Sequence, residues 1–272
     1  MSHIHIPDGV LPAWLWGGGW LVALALVWAA SLVARRADIR RKVPLLGVVT
    51  ALVLVSMSSE IVPIAYHINL TVVAGVLLGP WLGVISSFVA EVALALLGHG
   101  GVTVIGLNTL IAATEMALGW ALFRGLVALA GRRRVRLSAA VATVLTLAVT
   151  TTMLVGIVAL AGGGEATGRE TGALDPATLS FSDPFAAGVF SIGTLRGGEP
   201  AAVEPDSGSG GALSVRRFAA IVYTLGPVGW LVEALVTGAI LGYVARVRPS
   251  LVFAGASALR AHRTTGHERR AG

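Results

Sequence analysis

The chain contains no cysteine. Disulfides, thiolate metal sites and cysteine nucleophiles are thereby excluded, while nothing follows about the redox compartment. Charge is scarce too: 12% of the 272 residues are Asp, Glu, Lys or Arg, against about 25% in a domain whose surface must face water. The first ten residues hold no lysine or arginine, and positive charge follows the first apolar run instead of preceding it. A retained first helix with a translocated N-terminus is expected, without a cleavable signal. No Walker-type phosphate loop occurs, so ATP hydrolysis by that route is excluded, and no His-Glu-x-x-His pair occurs, which argues against an intramembrane metalloprotease.

What is present is apolar. Hydrophobic residues make up 55% of the chain and the mean hydropathy is +0.82, which points to lipid as the solvent. Length alone allows one or two domains, but apolar runs occupy most of the sequence. The expected organisation is one membrane domain over 1–250 followed by a cytoplasmic tail, 251–272.

Crossing about 30 Å of hydrocarbon takes roughly 20 apolar residues in a helix. Leu11 to Ala34, Val43 to Ile64, Val102 to Leu129, Leu137 to Ala161 and Phe218 to Ala245 qualify. The stretch from Leu70 to Leu97 is broken by Gly79-Pro80, where proline removes a backbone donor and disfavours helix at the residue before it. It reads as two helices, the first short, joined by a tight turn. The fold class is therefore all-α, a polytopic membrane protein of about seven helices.

Positive charge tests that count. With the N-terminus outside, Arg35, Arg36, Arg40, Arg41 and Lys42 fall on the cytoplasmic side, as do Arg132, Arg133, Arg134 and Arg136, and the C-terminal arginines from Arg246 onward. Treating 70–97 as one span would put Arg132–Arg136 outside, so seven is preferred. The chain is expected in the cell membrane, multi-pass. The formal charge of +6 also raises nucleic-acid binding; it is set aside because each basic cluster ends an apolar run.

Residues 162–215 differ in kind. They are rich in Gly, Ser, Ala and Pro and carry Glu165, Glu170, Asp175, Asp183, Glu199, Glu204 and Asp206. Such an acidic, low-complexity segment reads as an external loop with little fixed structure; concentrating cations is its alternative use.

The topology sorts the six histidines. His3, His5, His67 and His99 fall outside, and His262 and His267 in the cytoplasmic tail. Imidazole is the commonest ligand for nickel, copper and zinc. Taken singly, His67 and His99 are helix-end residues at a wet interface, but four on one face, two of them in the first five residues, point to a metal. The N-terminus supplies a chelate: an α-amine, a deprotonated backbone amide and a nearby imidazole form fused rings in one plane, an arrangement that suits Ni(II) and Cu(II). Met1-Ser2-His3 offers four nitrogens if Met1 stays. Ser2-His3 offers three if it is removed, leaving a vacancy for His5 or His67.

Several of these residues carry a resemblance. His-Ile-Pro-Asp-Gly at 5–9 with Val10-Leu11-Pro12, Gly79-Pro80-Trp81 twelve residues after His67, Gly98-His99-Gly100-Gly101-Val102 through Gly106-Leu107-Asn108, and Gly226 to Gly238 with Arg246-Val247-Arg248-Pro249 resemble the CbiM/NikM family. That family comprises the substrate-capture components of energy-coupling-factor cobalt and nickel importers. The resemblance covers about 5–161 and 218–250. It implies a metal held by the terminal amine, the amide and imidazole of a second-position histidine, and a histidine from a later helix; the matching positions are His5 and His67. This chain departs in placing Met1-Ser2-His3-Ile4 ahead of the signature, so Ser2 and His3 become candidates for the amine and amide contacts. It also carries His99 where the family has aspartate, read as polarity more than as a ligand. The cargo implied is Ni2+ or Co2+. The partners implied are a transmembrane coupling subunit, cytoplasmic ATPase subunits and, as a further candidate, a small accessory membrane subunit, within membrane lipid and without nucleic acid.

Carboxylates inside apolar runs are costly and default to a functional reading, with helix–helix hydrogen bonding as the plainer alternative. The plainer reading is preferred for Glu91 and Glu115, whereas Asn108 is expected to support a metal ligand from behind, and Asp8, after Pro7, to fix a turn of the N-terminal metal-binding segment, 1–10. Small residues four apart, Ala25/Ala29 and Ala30/Ala34, allow close helix approach, and the resemblance implies that such a face meets the coupling subunit. Three functions stay open: capture subunit of a multi-subunit importer, stand-alone divalent-metal permease, and membrane enzyme or assembly factor with a structural metal. The first is favoured because the histidines gather at one end and no chain of ligands crosses the bilayer.

Overall fold

The computed structural model describes residues 11–36, 42–58, 68–97, 101–171 and 215–253. In chain order the helices are α1 (Ala13–Arg36), α2 (Val43–Ser58), α3 (Thr71–Leu78), α4 (Pro80–Leu96), α5 (Ile105–Ala130), α6 (Val135–Thr171), α7 (Val215–Val247) and α8 (Pro249–Phe253), with a single 3₁₀ turn, Arg132–Arg134, between α5 and α6. No strand occurs among the described residues. The chain is an all-α multi-pass membrane protein. Ala13–Arg35, Ile105–Ala130, Arg132–Ala161 and Val222–Val247 are each long and apolar enough to cross a bilayer.

The intervening helices are shorter. α2 has 16 residues and α4 has 17, or roughly 25 Å at 1.5 Å per residue. With 8 residues, α3 reaches only about 12 Å, less than half the hydrocarbon thickness. Its end is set by Gly79-Pro80. Gly79 takes φ 81°, a conformation that costs glycine nothing, and donates its N–H to the Gly75 carbonyl at 2.8 Å. Pro80 then opens α4 at a first-turn position, where a missing N–H is no loss. Gly131, φ 80°, ends α5 in a similar way.

Helix α5 is central, packing against α1, α3, α4 and α6. Glycine sets two of these approaches. A Cβ on Gly106 would lie 2.5 Å from the Trp20 backbone nitrogen, and one on Gly75 would overlap the Met116 carbonyl, so α1 and α3 meet α5 backbone to backbone. Gly19 lies against Leu107 while Ala30 and Ala113 share a buried cluster, so α1 and α5 run in the same sense. Helix α6 runs against α7: Thr152 and Tyr223 bond at 2.7 Å near one end, and Gly238 and Gly242 meet Arg136 near the other. The C-terminal ends of α1, α5 and α7 therefore point one way, and Arg35, Arg132–Arg134, Arg136 and Arg246 lie at that end, while Arg216 and Arg217 open α7 at the other.

The outward face is apolar. Leu21 and Trp28 on α1 are 73% and 69% exposed, a surface that lipid accommodates and water would not. Differences from the sequence reading are local. The Ala30/Ala34 pair is buried within the chain, Ala30 against Val84 and Ala113 and Ala34 beside Val49 and Leu78, so it does not present a free docking stripe. Ala25, by contrast, is exposed. Helix α6 runs on to Thr171, beyond the expected Ala161. Helix α8 folds back so that Val252 is buried with Leu70, Phe123 and Leu241.

Candidate functional site

The sequence-predicted ligands Ser2, His3, His5 and His67, together with Asp8 and His99, lie outside the described residues. Among the described residues no group of three or more His, Cys, Asp or Glu side chains comes together. What the structure does show is the scaffold into which these segments lead. The N-terminal segment enters it at Leu11, buried against Val104, Leu107 and Ile111 at the start of α5. The segment carrying His99 leads to Gly101, also buried. Asn108, 2% exposed, lies one turn into α5 with its N–H on the Val104 carbonyl at 3.0 Å. The predicted supporting asparagine thus sits beside the point where the N-terminal segment joins the bundle.

The residues that follow His67 are anchored elsewhere. Two residues after it, Asn69 is 1% exposed. Its Nδ2 donates to Glu115 Oε2 at 2.6 Å and its backbone N–H donates to Glu233 Oε1 at 3.3 Å. Its Oδ1 accepts the Thr71 N–H at 3.0 Å, which fixes the amide orientation, since only the nitrogen can then face the carboxylate. Thr71 Oγ1 donates to Glu115 Oε2 at 2.7 Å, and Thr150 Oγ1 on α6 donates to Glu115 Oε1 at 3.0 Å. Three donors from two directions converge on one carboxylate. All five residues are at most 2% exposed.

Depth gives the network its importance. Glu115 is ten residues into α5, about 15 Å along the axis, near the middle of a roughly 30 Å hydrocarbon layer. No bulk water satisfies a polar group there, so each must find a protein partner. The plainer expectation for Glu115, hydrogen bonding between helices, agrees with these contacts, though one partner is a loop and not a helix. Sequence reasoning passed over Asn69, Thr71 and Thr150. The available signals were an Asn-Leu-Thr step opening an apolar run and a Thr150-Thr151-Thr152 cluster inside another. Glu91 and Glu233 are also buried, at 2% and 1%.

Helices packed through glycine contacts, an apolar outer face and carboxylates held by hydrogen bonds in the core define a multi-pass membrane protein with polar groups buried in its interior. The chain belongs to the CbiM family, described as the cobalt uptake substrate-specific transmembrane region, whose sequence pattern matches residues 5–251. The family so described is one of metal-uptake membrane proteins. A protein of Haloquadratum walsbyi, provisionally described as a metal transport protein, is 34% identical over 126 residues. That match takes in 44% of this chain and 58% of the relative's length. Two solved structures share the fold at 18% identity: a truncated transition metal transporter, with TM-score 0.62 over 89% of this chain and 99% of that one, and a transition metal transporter, with TM-score 0.64 over 90% and 93%.

Proposed function

We propose that this chain captures Ni2+ or Co2+ on the extracytoplasmic side, as the substrate-specific component of an ATP-driven energy-coupling-factor importer. The observation that carries the reading is the anchoring of Asn69 by Glu115 and Glu233. Asn69, two residues after His67, is thereby fixed to α5 and α7, and a ligand close in sequence to a fixed point would lose less freedom on binding. The N-terminal segment, entering the bundle at Leu11 beside the start of α5, supplies the other ligands: His5, and Ser2 with His3 through the amine and amide nitrogens. Asn108 orients an imidazole from behind, His99 adds polarity and Asp8 shapes the turn.

Metal binding would pin residues 1–10 against the segment carrying His67 and occlude the ion. A transmembrane coupling subunit and cytoplasmic ATPases, with a small accessory membrane subunit as a further candidate, would drive inward release, since the chain has no phosphate loop of its own. The test is calorimetry and visible absorption on detergent-purified protein with an authentic N-terminus, wild type against His67→Ala. Tight 1:1 binding of nickel or cobalt, lost in the variant, supports capture. Binding indifferent to the substitution would remove His67 from the site. Co-purification of an ATPase separates an importer component from a stand-alone permease.

A further inference from the structure

We propose that the cleft formed by the 3₁₀ turn, the start of α6, the end of α7 and α8 is a headgroup site for an anionic phospholipid. The cleft encloses about 330 Å³. Four of its nine lining residues are arginines, Arg132, Arg133, Arg136 and Arg246, and no acidic residue lines it. Charges of one sign gathered in a concavity raise the potential there and favour an anion of matching size.

The cleft is built by the fold. Arg136 lies across α7 at Gly242, where an added Cβ would come within 2.4 Å of its Cγ and 2.8 Å of its Nε. The absent side chain is therefore the space that Arg136 occupies. Arg132 stacks over the Phe253 ring at 4.6 Å, which holds one guanidinium in the lining. Phe253 is placed by α8, whose Val252 is 2% exposed and packed into the main cluster. Positive charge that served only to set topology would need none of this arrangement.

The surroundings choose the ligand. Leu137, next to Arg136, is 57% exposed, and Tyr243, next to Gly242, is 64% exposed. An apolar outer face directly beside a basic cleft suits a molecule with a phosphate at one end and acyl chains at the other. A soluble anion would use the cleft and leave the apolar face unused. Basic pockets between membrane helices on the cytoplasmic side recognise such headgroups, and this cleft lies at the end of the bundle where α5 and α7 finish. Its assignment to the cytoplasmic leaflet rests on the proposed orientation; binding itself does not.

The test is native mass spectrometry and thermal unfolding of the full detergent-purified chain, titrated with phosphatidylglycerol, phosphatidylcholine or inorganic phosphate. Phosphatidylglycerol should remain bound and raise the melting temperature, while phosphatidylcholine should do neither. The triple variant Arg133→Gln/Arg136→Gln/Arg246→Gln should lose this response, at about fivefold in apparent affinity for each arginine removed. The pair Arg35→Gln/Lys42→Gln, basic but outside the cleft, should retain it. If the triple variant is not monodisperse, the single variants R133Q and R246Q carry the same comparison. Equal retention of both lipids, or an unchanged response in the cleft variants, would overturn the proposal and leave these arginines as topology determinants. A shift reproduced in full by inorganic phosphate alone would overturn the lipid assignment.

Discussion

Asn69 Nδ2 donates to Glu115 Oε2 across 2.6 Å, joining the loop that follows His67 to the middle of α5. The contact belongs to a shared arrangement, since Thr71 and Thr150 donate to the same carboxylate. The two sides of Glu115 have separate consequences: one holds the loop, the other holds α6.

That separation predicts different phenotypes for two substitutions around one glutamate. Thr150→Val removes the α6 side and should cost about 0.6 kcal/mol, the usual worth of a hydrogen bond between membrane helices, with metal affinity nearly unchanged. Asn69→Ala removes a bond to the same carboxyl group, of similar worth at about 0.6 kcal/mol, but it also removes the acceptor of the Thr71 N–H and frees the loop 68–70 from α5. Its melting temperature and its metal affinity should both fall. Equal effects of the two variants on affinity would show that the network stabilises the fold without positioning the loop.

Glycine positions make a graded series. Gly75→Ala places a methyl group against the Met116 backbone carbonyl, which cannot move without shifting α5, so folded yield should collapse. At Gly83 the added Cβ meets Met116 Cβ at 3.1 Å and its sulfur at 3.4 Å; the thioether adapts but Cβ moves only with its backbone, so the loss should be intermediate. At Gly125 nothing lies within 4 Å, so alanine there should raise stability by about 0.5–1 kcal/mol through lower backbone entropy in the unfolded chain. Monodisperse yield and melting temperature rank the three, and a Gly75→Ala protein as stable as wild type would contradict the α3–α5 packing.

Much of this architecture was legible because it is encoded locally. The α3–α4 break follows from Gly79-Pro80, one residue that tolerates φ 81° and one that lacks an N–H. The apolar runs of the sequence likewise mark the places of α1 to α7. The roles of Asn69 and Thr150 were not legible. A single polar residue in an apolar run announces that it needs a partner but not which helix will supply it, and these partners are 46 and 35 residues from Glu115. Ala30 and Ala34 illustrate the converse: the small-residue spacing is real, but sequence does not say whether the close neighbour is another chain or this chain's own α4 and α5. Helix α8, at 5 residues, is too short for any period to show. The histidines proposed as ligands lie outside the described residues, and what the structure adds is the scaffold that flanks their segments in sequence.

Asn108 offers a sharper test of the proposed site. It is 2% exposed and close to the entry of the N-terminal segment, but belongs to the rigid α5. If it orients an imidazole, Asn108→Ala should weaken nickel or cobalt binding about 10–100-fold, the usual cost of removing an outer-shell partner, while the 1:1 stoichiometry persists. Asn108→Asp, which keeps an acceptor, should recover part of the loss. Unchanged affinity in the alanine variant would assign Asn108 to helix packing alone.

The N-terminus provides the most direct separation of ligand sets. A chelate built on the α-amine and the following amide depends on a free amine, whereas a site built on the imidazoles of His3, His5 and His67 does not. Placing a Gly-Ser extension ahead of Met1 leaves every histidine in the chain and removes only the amine from chelating distance. If planar nitrogen ligation operates, the extension should abolish the nickel absorption of a square-planar site and lower affinity on the order of a hundredfold, or ~2.7 kcal/mol. Intact mass of the unextended protein then distinguishes the two chelates: retention of Met1 gives Met1-Ser2-His3 four nitrogens, and its removal gives Ser2-His3 three with a position for His5 or His67. In the second case His67→Ala should weaken binding in the unextended protein, and in the first it should matter much less. An extended protein that binds and absorbs like the native one would rule out the amine, leaving the imidazoles as the ligands.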